Sequence, residues 1–158
     1  MLEVIDTKHY NYVRFLFKCV SCKSGIHGPS FDDTAKSIVI CPTCGKSHSM
    51  VKNFSQLKLN DFFEYFAGDS RKHYVAQALF INKNSVIGNI YSNIVVCDTQ
   101  FRLHNLHGPC AMSSFSTGVY EQHYFLSGWP VSYDKFKTYA PVLKQNKLLE
   151  YRNGIKFK

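Results

Sequence analysis

Cys19-Val20-Ser21-Cys22, followed 18 residues later by Cys41-Pro42-Thr43-Cys44-Gly45-Lys46, decides the fold of the N-terminal part of this chain. Two residues between paired cysteines allow one tight turn to direct both thiols toward the same ion. The spacing between the two pairs is typical of structural zinc sites with four thiolate ligands. The sequence therefore predicts one structural Zn²⁺, bound by Cys19, Cys22, Cys41 and Cys44.

Two other interpretations of the cysteine pairs fit the residues less well. A redox dithiol needs one Cys-x-x-Cys at the start of a helix, whereas here both pairs follow strand-like sequences, residues 13–17 and 37–40. A structural disulfide needs an oxidising compartment, and the chain shows no signal-peptide pattern. It also has no run of 18 apolar residues that would cross a membrane. We therefore expect a cytoplasmic protein without membrane contacts.

His27 and His48 lie close in sequence to the cysteines. Either imidazole could replace a thiolate, but four cysteines at this spacing already complete a tetrahedron. A site closed in this way has no open position for water or substrate, so its role is to fold the local chain. We expect both histidines to lie at the surface or to support a ligand by a hydrogen bond.

The segment from Phe15 to Met50 resembles the zinc-ribbon superfamily in two stretches, Phe17-Lys18-Cys19-x-x-Cys22 and Ile40-Cys41-Pro42-Thr43-Cys44-Gly45-Lys46. The resemblance implies a small antiparallel sheet with zinc at one end. It leaves the function open, because zinc ribbons occur in nucleic-acid-binding proteins, in polymerase-associated factors and in structural appendages. We assign residues 1–52 to the ribbon and residues 53–158 to a β-rich domain.

Helix and strand signals alternate after the ribbon. Asn60 is a candidate N-cap for a helix over Asp61–Ala67, which Gly68 would end. Ser132 is a candidate N-cap for a second helix, from Tyr133 to Tyr139, which Pro141 ends or restarts. β-rich stretches run from Tyr74 to Ile81, from Ser85 to Cys97 and from Tyr120 to Leu126, and Asn153-Gly154 predicts a final hairpin. The predicted fold class is α+β, mainly β: a zinc ribbon, then a small antiparallel β-rich domain with one or two short helices.

A second resemblance concerns His104-Asn105-Leu106-His107-Gly108-Pro109-Cys110, Gly118 and His123-Tyr124-Phe125-Leu126-Ser127-Gly128. This pattern resembles a tailed-bacteriophage repeat of the form His-Arg-x-x-Gly-Pro-Ala, a hairpin glycine, then Tyr-Tyr-x-Asn-Gly. It departs from the repeat at Asn105, Cys110 and Ser127. The resemblance implies a phage origin and an antiparallel β-meander, in which residues 120–126 pair with the strand after Pro109 through a turn near residues 116–118.

Cys97, His104, His107 and Cys110 have the residue types and short spacings of a second zinc site. The alternative is that the thiols are buried. Cys110 occupies a small core position of the repeat, and Cys97 ends the apolar run at residues 94–96. We favour buried thiols.

Positive charge is concentrated at the C-terminus. The chain has a formal net charge of +8. Residues 135–158 contribute +6 of this charge, and Glu150 is the one acidic residue among them. Basic side chains that alternate with aromatic rings can neutralise phosphates and stack on bases. The candidate nucleic-acid-binding residues are Lys135, Lys137, Lys144, Lys147, Arg152 and Lys156. The alternative is a solvated face over an aromatic core.

Catalytic motifs are lacking, since the sequence has neither a phosphate-binding glycine-rich loop nor a nucleophile elbow. We therefore expect a non-catalytic, zinc-binding phage accessory protein that acts in the host cytoplasm. Its expected partner is nucleic acid or the host transcription or translation machinery. The alternatives are an interaction or inhibitor module that docks on a host protein, and a structural component of the virion.

Overall fold

A computed structural model describes residues 17–26, 38–66, 73–89, 94–114, 120–152 and 155–157. Within these ranges the chain forms antiparallel strands, one α-helix and a short 3-10 helix, Phe54–Gln56. The predicted fold class, α+β and mainly β, is confirmed.

Two short hairpins carry the Cys-x-x-Cys motifs. The first pairs β1 (Phe17–Lys18) with β2 (Gly25–Ile26), and the second pairs β3 (Ile38–Ile40) with β4 (Ser47–Ser49). Each cysteine pair lies in the turn of its hairpin, where the intervening residues reverse the chain. We call these two hairpins the metal-binding unit.

The rest of the chain is built on a seven-stranded antiparallel meander in which each strand pairs with the next. Its strands are β5 (Phe62–Phe66), β6 (His73–Ile81), β7 (Ser85–Asn89), β8 (Ile94–Asp98), β9 (Ala111–Ser114), β10 (Tyr120–Leu126) and β11 (Trp129–Val131). The pairing of β10 with β9 is the one that the sequence predicted, while the turn at residues 116–118 lies outside the described residues.

Residues 101–103 close the first four strands of the meander into a small barrel. Phe66 N donates to Phe101 O at 2.9 Å and Leu103 N donates to Phe66 O at 3.0 Å, which joins this segment to β5. Asp98 N donates to Arg102 O at 2.9 Å, which joins the same segment to β8. A closed ring of hydrogen-bonded strands results, and it covers the edge that β5 would otherwise expose.

Large and small side chains alternate inside this barrel. Phe63 stacks on Phe101 with their ring centroids 5.0 Å apart. Room for these rings comes from small residues on the neighbouring strands, because a Cβ at Gly88 would lie only 2.8 Å from Ala76 Cβ and 2.9 Å from the Phe63 ring. The interior is therefore packed without space for another methyl group at this position.

A second core lies between β10 and two C-terminal elements, α1 (Tyr133–Gln145) and β12 (Leu149–Tyr151). The last strand, β13 (Ile155–Phe157), pairs with β12. α1 buries Phe136, Ala140 and Leu143 on one face. Ser132 caps the helix as predicted, since its hydroxyl accepts a hydrogen bond from Lys135 N at 3.2 Å. The helix continues through Pro141 to Gln145, beyond the predicted end at Tyr139. The final hairpin of β12 and β13 is confirmed, and its predicted turn at Asn153-Gly154 lies outside the described residues.

The predicted helix over Asp61–Ala67 is wrong, because Phe62–Phe66 forms β5. Asn60, expected as an N-cap, instead has a left-handed backbone with φ of 71° and donates its N–H to Ala78 O at 2.8 Å. Phe62 and Phe63 are both buried, since Phe63 points into the barrel and Phe62 packs in the core of the metal-binding unit. A strand buried on both faces loses the polar–apolar alternation that normally identifies a strand.

Candidate metal centre and basic surface

The four predicted ligands, Cys19, Cys22, Cys41 and Cys44, lie together, with all sulfurs within 4.8 Å of one another. Cys19 Sγ is 3.6 Å from Cys44 Sγ, and Cys22 Sγ is 3.7 Å from Cys41 Sγ. Four sulfurs that each lie about 2.3 Å from a central zinc ion are about 3.8 Å apart. The two cross-hairpin distances therefore match the edges of a metal–thiolate tetrahedron, and this cluster could hold a metal ion.

The two turns position their sulfurs with the same backbone hydrogen bonds. In the first turn Cys19 N donates to Ser24 O and Lys23 N donates to Cys19 O, both at 2.9 Å. In the second turn Cys41 N donates to Lys46 O at 2.9 Å, and Gly45 N donates to Cys41 O at 2.8 Å. The fourth residue after each leading cysteine is left-handed, with φ of 67° at Lys23 and 76° at Gly45. Glycine suits this position in the second turn, whereas Lys23 adopts it at an energetic cost.

Hydrogen bonds to sulfur favour the thiolate form that binds metal. The Cys44 backbone amide, aided by that of Thr43, lowers the pKa of Cys41 to about 6 against the opposing effect of burial. The Ser24 hydroxyl, 2.8 Å from Cys22 Sγ, lowers the pKa of Cys22.

The pKa of Cys44 shifts in the opposite direction to those of Cys22 and Cys41. The Lys46 amide acts to lower the pKa of Cys44, but burial and the neighbouring sulfurs outweigh it and raise that pKa to about 11. Four thiolates so close together repel one another, and only a cation at their centre balances their charge.

His48 supports one of these ligands. Its Nε2 lies 3.4 Å from Cys19 Sγ, and its ring packs on Phe62 with their centroids 5.4 Å apart. Burial, with a smaller effect from the Lys46 charge, lowers the pKa of His48 and favours the neutral imidazole. With the proton on Nε2, this imidazole donates a hydrogen bond to the sulfur, which helps to orient the ligand. His27 lies outside the described residues.

Gln77 joins the metal-binding unit to the barrel, and sequence reasoning missed it. Its Oε1 accepts a hydrogen bond from Lys18 N at 2.8 Å, and its Nε2 donates to Lys18 O at 2.8 Å and to Asn60 O at 2.9 Å. Lys18 directly precedes Cys19, so the side-chain amide of Gln77 pairs with the backbone next to the first cysteine in the way that a neighbouring strand would. The available signal was a glutamine within the otherwise apolar run from Val75 to Ile81.

The structure does not assemble the alternative metal site. Cys97 and Cys110 are fully buried, and burial raises the pKa of both thiols. Cys110 Sγ donates to Phe125 O at 3.3 Å, and His104 Nδ1 accepts from Ser127 N at 2.8 Å. Among the described residues, one group of potential ligand atoms lies close enough together to hold a metal ion, and it consists of Cys19, Cys22, Cys41 and Cys44.

The predicted basic residues are distributed over more than one surface. Successive residues of a helix are rotated by about 100°, so Lys137 and Lys144 share one side of α1 and Lys135 lies roughly opposite them. Lys147 lies beyond the helix and lines a cleft. Arg152 Nη2 lies 3.6 Å from Glu150 Oε2. The side chain of Lys156 lies outside the described residues.

Tyr133 lies on the same side of α1 as Lys137 and Lys144, and we call these three residues the α1 stripe. The Tyr133 side chain is 54% exposed, and Lys137 Nζ lies 4.8 Å from the centre of its ring. Lys137 Nζ is also 3.8 Å from Asp134 Oδ1, an exposed pair that contributes little. The α1 stripe thus places an accessible aromatic ring beside the exposed Lys137, with the exposed Lys144 on the same side about 16 Å from Tyr133 along the helix axis.

No protein-family model matches this chain, and neither does any curated protein or solved structure. The resemblances to zinc ribbons and to the phage repeat therefore stay predictions. Within the described ranges, no helix is long and apolar enough to cross a bilayer.

Proposed function

We propose that this protein is a non-catalytic binding protein stabilised by one structural zinc ion, and that its partner is nucleic acid or a host machine that handles nucleic acid. The observation that carries the proposal is the tetrahedral spacing of the sulfurs of Cys19, Cys22, Cys41 and Cys44. Tetrahedral thiolate sites favour zinc or iron, and an all-cysteine zinc site leaves no coordination position for a reaction. The phage-like repeat pattern supports a role as a phage accessory protein in a host cell.

Elemental analysis tests the metal directly. Protein purified without chelators should contain about one zinc per chain and no iron, and Cys41→Ser should lose most of that zinc. Cys110→Ser is the matched control, because Cys110 is buried in the barrel core and away from the cluster. Protein without bound zinc, or equal zinc loss in both variants, would contradict the assignment.

The α1 stripe supports nucleic acid as the partner. Tyr133 offers a ring on which a base can stack, and Lys137 and Lys144 can each neutralise a phosphate. Lysines make fewer sequence-specific contacts than arginines, so we expect binding to depend strongly on salt and weakly on sequence. A neutral face elsewhere on the protein would not show this dependence.

Affinity for random single-stranded DNA and RNA, measured at several salt concentrations, tests this partner. The double variant Lys137→Gln/Lys144→Gln should bind more weakly, and its slope of log affinity against log salt should flatten by about 1.4. The control Lys52→Gln/Lys83→Gln removes two exposed lysines outside α1 and has the same charge change. Equal effects in the two variants would reduce the α1 stripe to a solvated face.

Docking on a host protein is the second candidate, and exposed apolar residues beside the metal site favour it. Val20, between the first two cysteines, is 46% exposed, and Ile40, just before the third, is 54% exposed. If this surface binds a protein, capture of one host protein should persist at high salt and after nuclease treatment, and Val20→Ser/Ile40→Ser should abolish it. Capture that nuclease treatment removes would favour nucleic acid instead.

A further inference from the structure

A cleft of about 360 Å³ lies between the barrel and the C-terminal elements α1 and β12. Its walls carry charged and polar side chains from the end of β8, the segment that closes the barrel and the end of the chain; Asp98, Arg102, His104, Lys147 and Glu150 are among them. The volume is within the range of small-ligand sites. None of the residues of the α1 stripe lines this cleft.

The acidic groups of the cleft are already engaged within the protein. Asp98 Oδ1 accepts hydrogen bonds from Gln100 N at 2.9 Å and Arg102 N at 3.0 Å, and its Oδ2 accepts from Arg102 Nε at 3.0 Å. Glu150 Oε1 accepts from Arg102 Nη2 at 3.2 Å. Glu150 Oε2 faces Arg152 Nη2 at 3.6 Å. These carboxylates are balanced by cations of the chain and do not call for a bound metal ion.

Donor groups remain in the same cleft. Since Ser127 N donates to His104 Nδ1 at 2.8 Å, the neutral His104 ring carries its proton on Nε2. Burial lowers the pKa of His104, which keeps the ring in that neutral form. Arg102 Nη1 takes part in none of the bonds that hold Asp98 and Glu150. Lys147 is exposed, and no ion pair is found for it within the described ranges.

We propose that this cleft binds a small ligand that carries an oxyanion, a phosphate or a carboxylate, held by His104 Nε2–H, Arg102 Nη1 and Lys147 Nζ. The ligand must accept hydrogen bonds from these three groups, because the two carboxylates of the cleft are engaged by arginines, whereas His104 Nε2–H, Arg102 Nη1 and Lys147 Nζ make none of the bonds described above. Because Arg102 and Arg152 balance the two carboxylates, Lys147 supplies the net positive charge that an oxyanion prefers, and Arg102 Nη1 and His104 Nε2 add directional donors. This inference goes beyond the proposed function, since its residues are separate from the α1 stripe.

Nuclear magnetic resonance titration tests the cleft in the zinc-loaded, full-length protein. Inorganic phosphate and acetate are added separately, and the His104 imidazole nitrogens and the Ser127 amide are followed. We expect one of the two probes to shift these signals saturably, and the stronger probe identifies the class of oxyanion. Magnesium chloride serves as the cation probe and should leave the signals in place.

Two variants and one control separate binding from folding. His104→Asn keeps an acceptor for Ser127 N and removes the Nε2 donor, so it should weaken binding by about tenfold. Lys147→Gln changes an exposed side chain without affecting the fold and should weaken binding by about fivefold. The control Lys58→Gln removes an exposed lysine that lies outside both the cleft and the α1 stripe, and it should bind as the parent does.

Three results would overturn the proposal. They are the absence of a saturable shift with either anion, equal losses of binding in Lys147→Gln and Lys58→Gln, and a magnesium-induced shift of the same signals. If His104→Asn does not fold, the comparison of the two lysine variants still tests whether the cleft binds the anion. Each of these results leaves the nucleic-acid test of the α1 stripe unaffected, because that test changes different residues.

Discussion

Replacing Gln77 by leucine should disconnect the metal-binding unit from the barrel. The side chain is 2% exposed and makes three hydrogen bonds, two to the backbone of Lys18 and one to Asn60 O. Leucine has a similar volume but cannot pair with these groups. Each buried polar group that loses its partner costs about 1–3 kcal/mol, and the lower value applies because water can reach the exposed residues Lys18 and Asn60. We therefore expect Gln77→Leu to lower the free energy of unfolding by about 3 kcal/mol.

Urea unfolding with two probes resolves this effect. Trp129 is the single tryptophan and packs in the core beneath α1, so its fluorescence reports on the β-rich part of the protein. A zinc-binding dye reports release of metal from the cysteine cluster. In the parent protein the two transitions should coincide, whereas in Gln77→Leu zinc release should occur first. With a slope of about 2 kcal/mol per molar urea, a loss of about 3 kcal/mol lowers the midpoint of zinc release by about 1.5 M.

Gln122→Leu is the matched control, because Gln122 lies in β10 with an exposed side chain. Its free energy of unfolding should change by no more than about 0.5 kcal/mol. If Gln77→Leu shifts the midpoint no more than this control, or if the two probes still coincide in the variant, then Gln77 does not join the two units.

Two further substitutions test the backbone of the metal site and the packing of the barrel. Lys23→Gly should raise thermal stability by about 0.5–1 kcal/mol because glycine tolerates the positive φ of this position, whereas Lys46→Gly, at a position without positive φ, should lower it. Gly88→Ala should lower stability by about 1–3 kcal/mol because its methyl group would overlap with Ala76 and Phe63, whereas Gly108→Ala, whose methyl group would meet only Asn105 Nδ2 at 3.9 Å, should have little effect. Thermal unfolding of the zinc-loaded variants measures both, and equal effects of a substitution and its control would contradict the corresponding argument.

Local sequence signals predicted the elements that depend on neighbouring residues. The spacing of the cysteine pairs placed Cys19, Cys22, Cys41 and Cys44 in one cluster, because each pair is fixed by its own turn. Ser132 predicted the start of α1, because a hydroxyl cap acts within the first turn of the helix. These features need little information from the rest of the chain.

Long-range packing explains what the sequence did not reveal. Phe62–Phe66 has the apolar composition of a buried element, and only the arrangement of barrel and metal-binding unit shows that it is a strand covered on both faces. The C-terminal lysines likewise form one basic segment along the chain, but helical rotation separates Lys135 from Lys137 and Lys144. A count of charges along a sequence does not show whether the charged side chains share one surface or lie on opposite sides of a helix.

The position of Phe62 also explains why metal binding and barrel formation should stabilise each other. Its ring meets Phe17 edge-on with their centroids 5.2 Å apart, and Phe17 lies two residues before the first ligand, Cys19. The adjacent Phe63 packs inside the barrel. Consecutive residues of a strand point to opposite faces, so β5 contributes Phe63 to the barrel core and Phe62 to the core of the metal-binding unit. A metal ion bound by the four cysteines would order Phe17 and complete the cover over β5, and a formed barrel would in turn hold Phe62 where the cysteine-rich turns need an apolar partner.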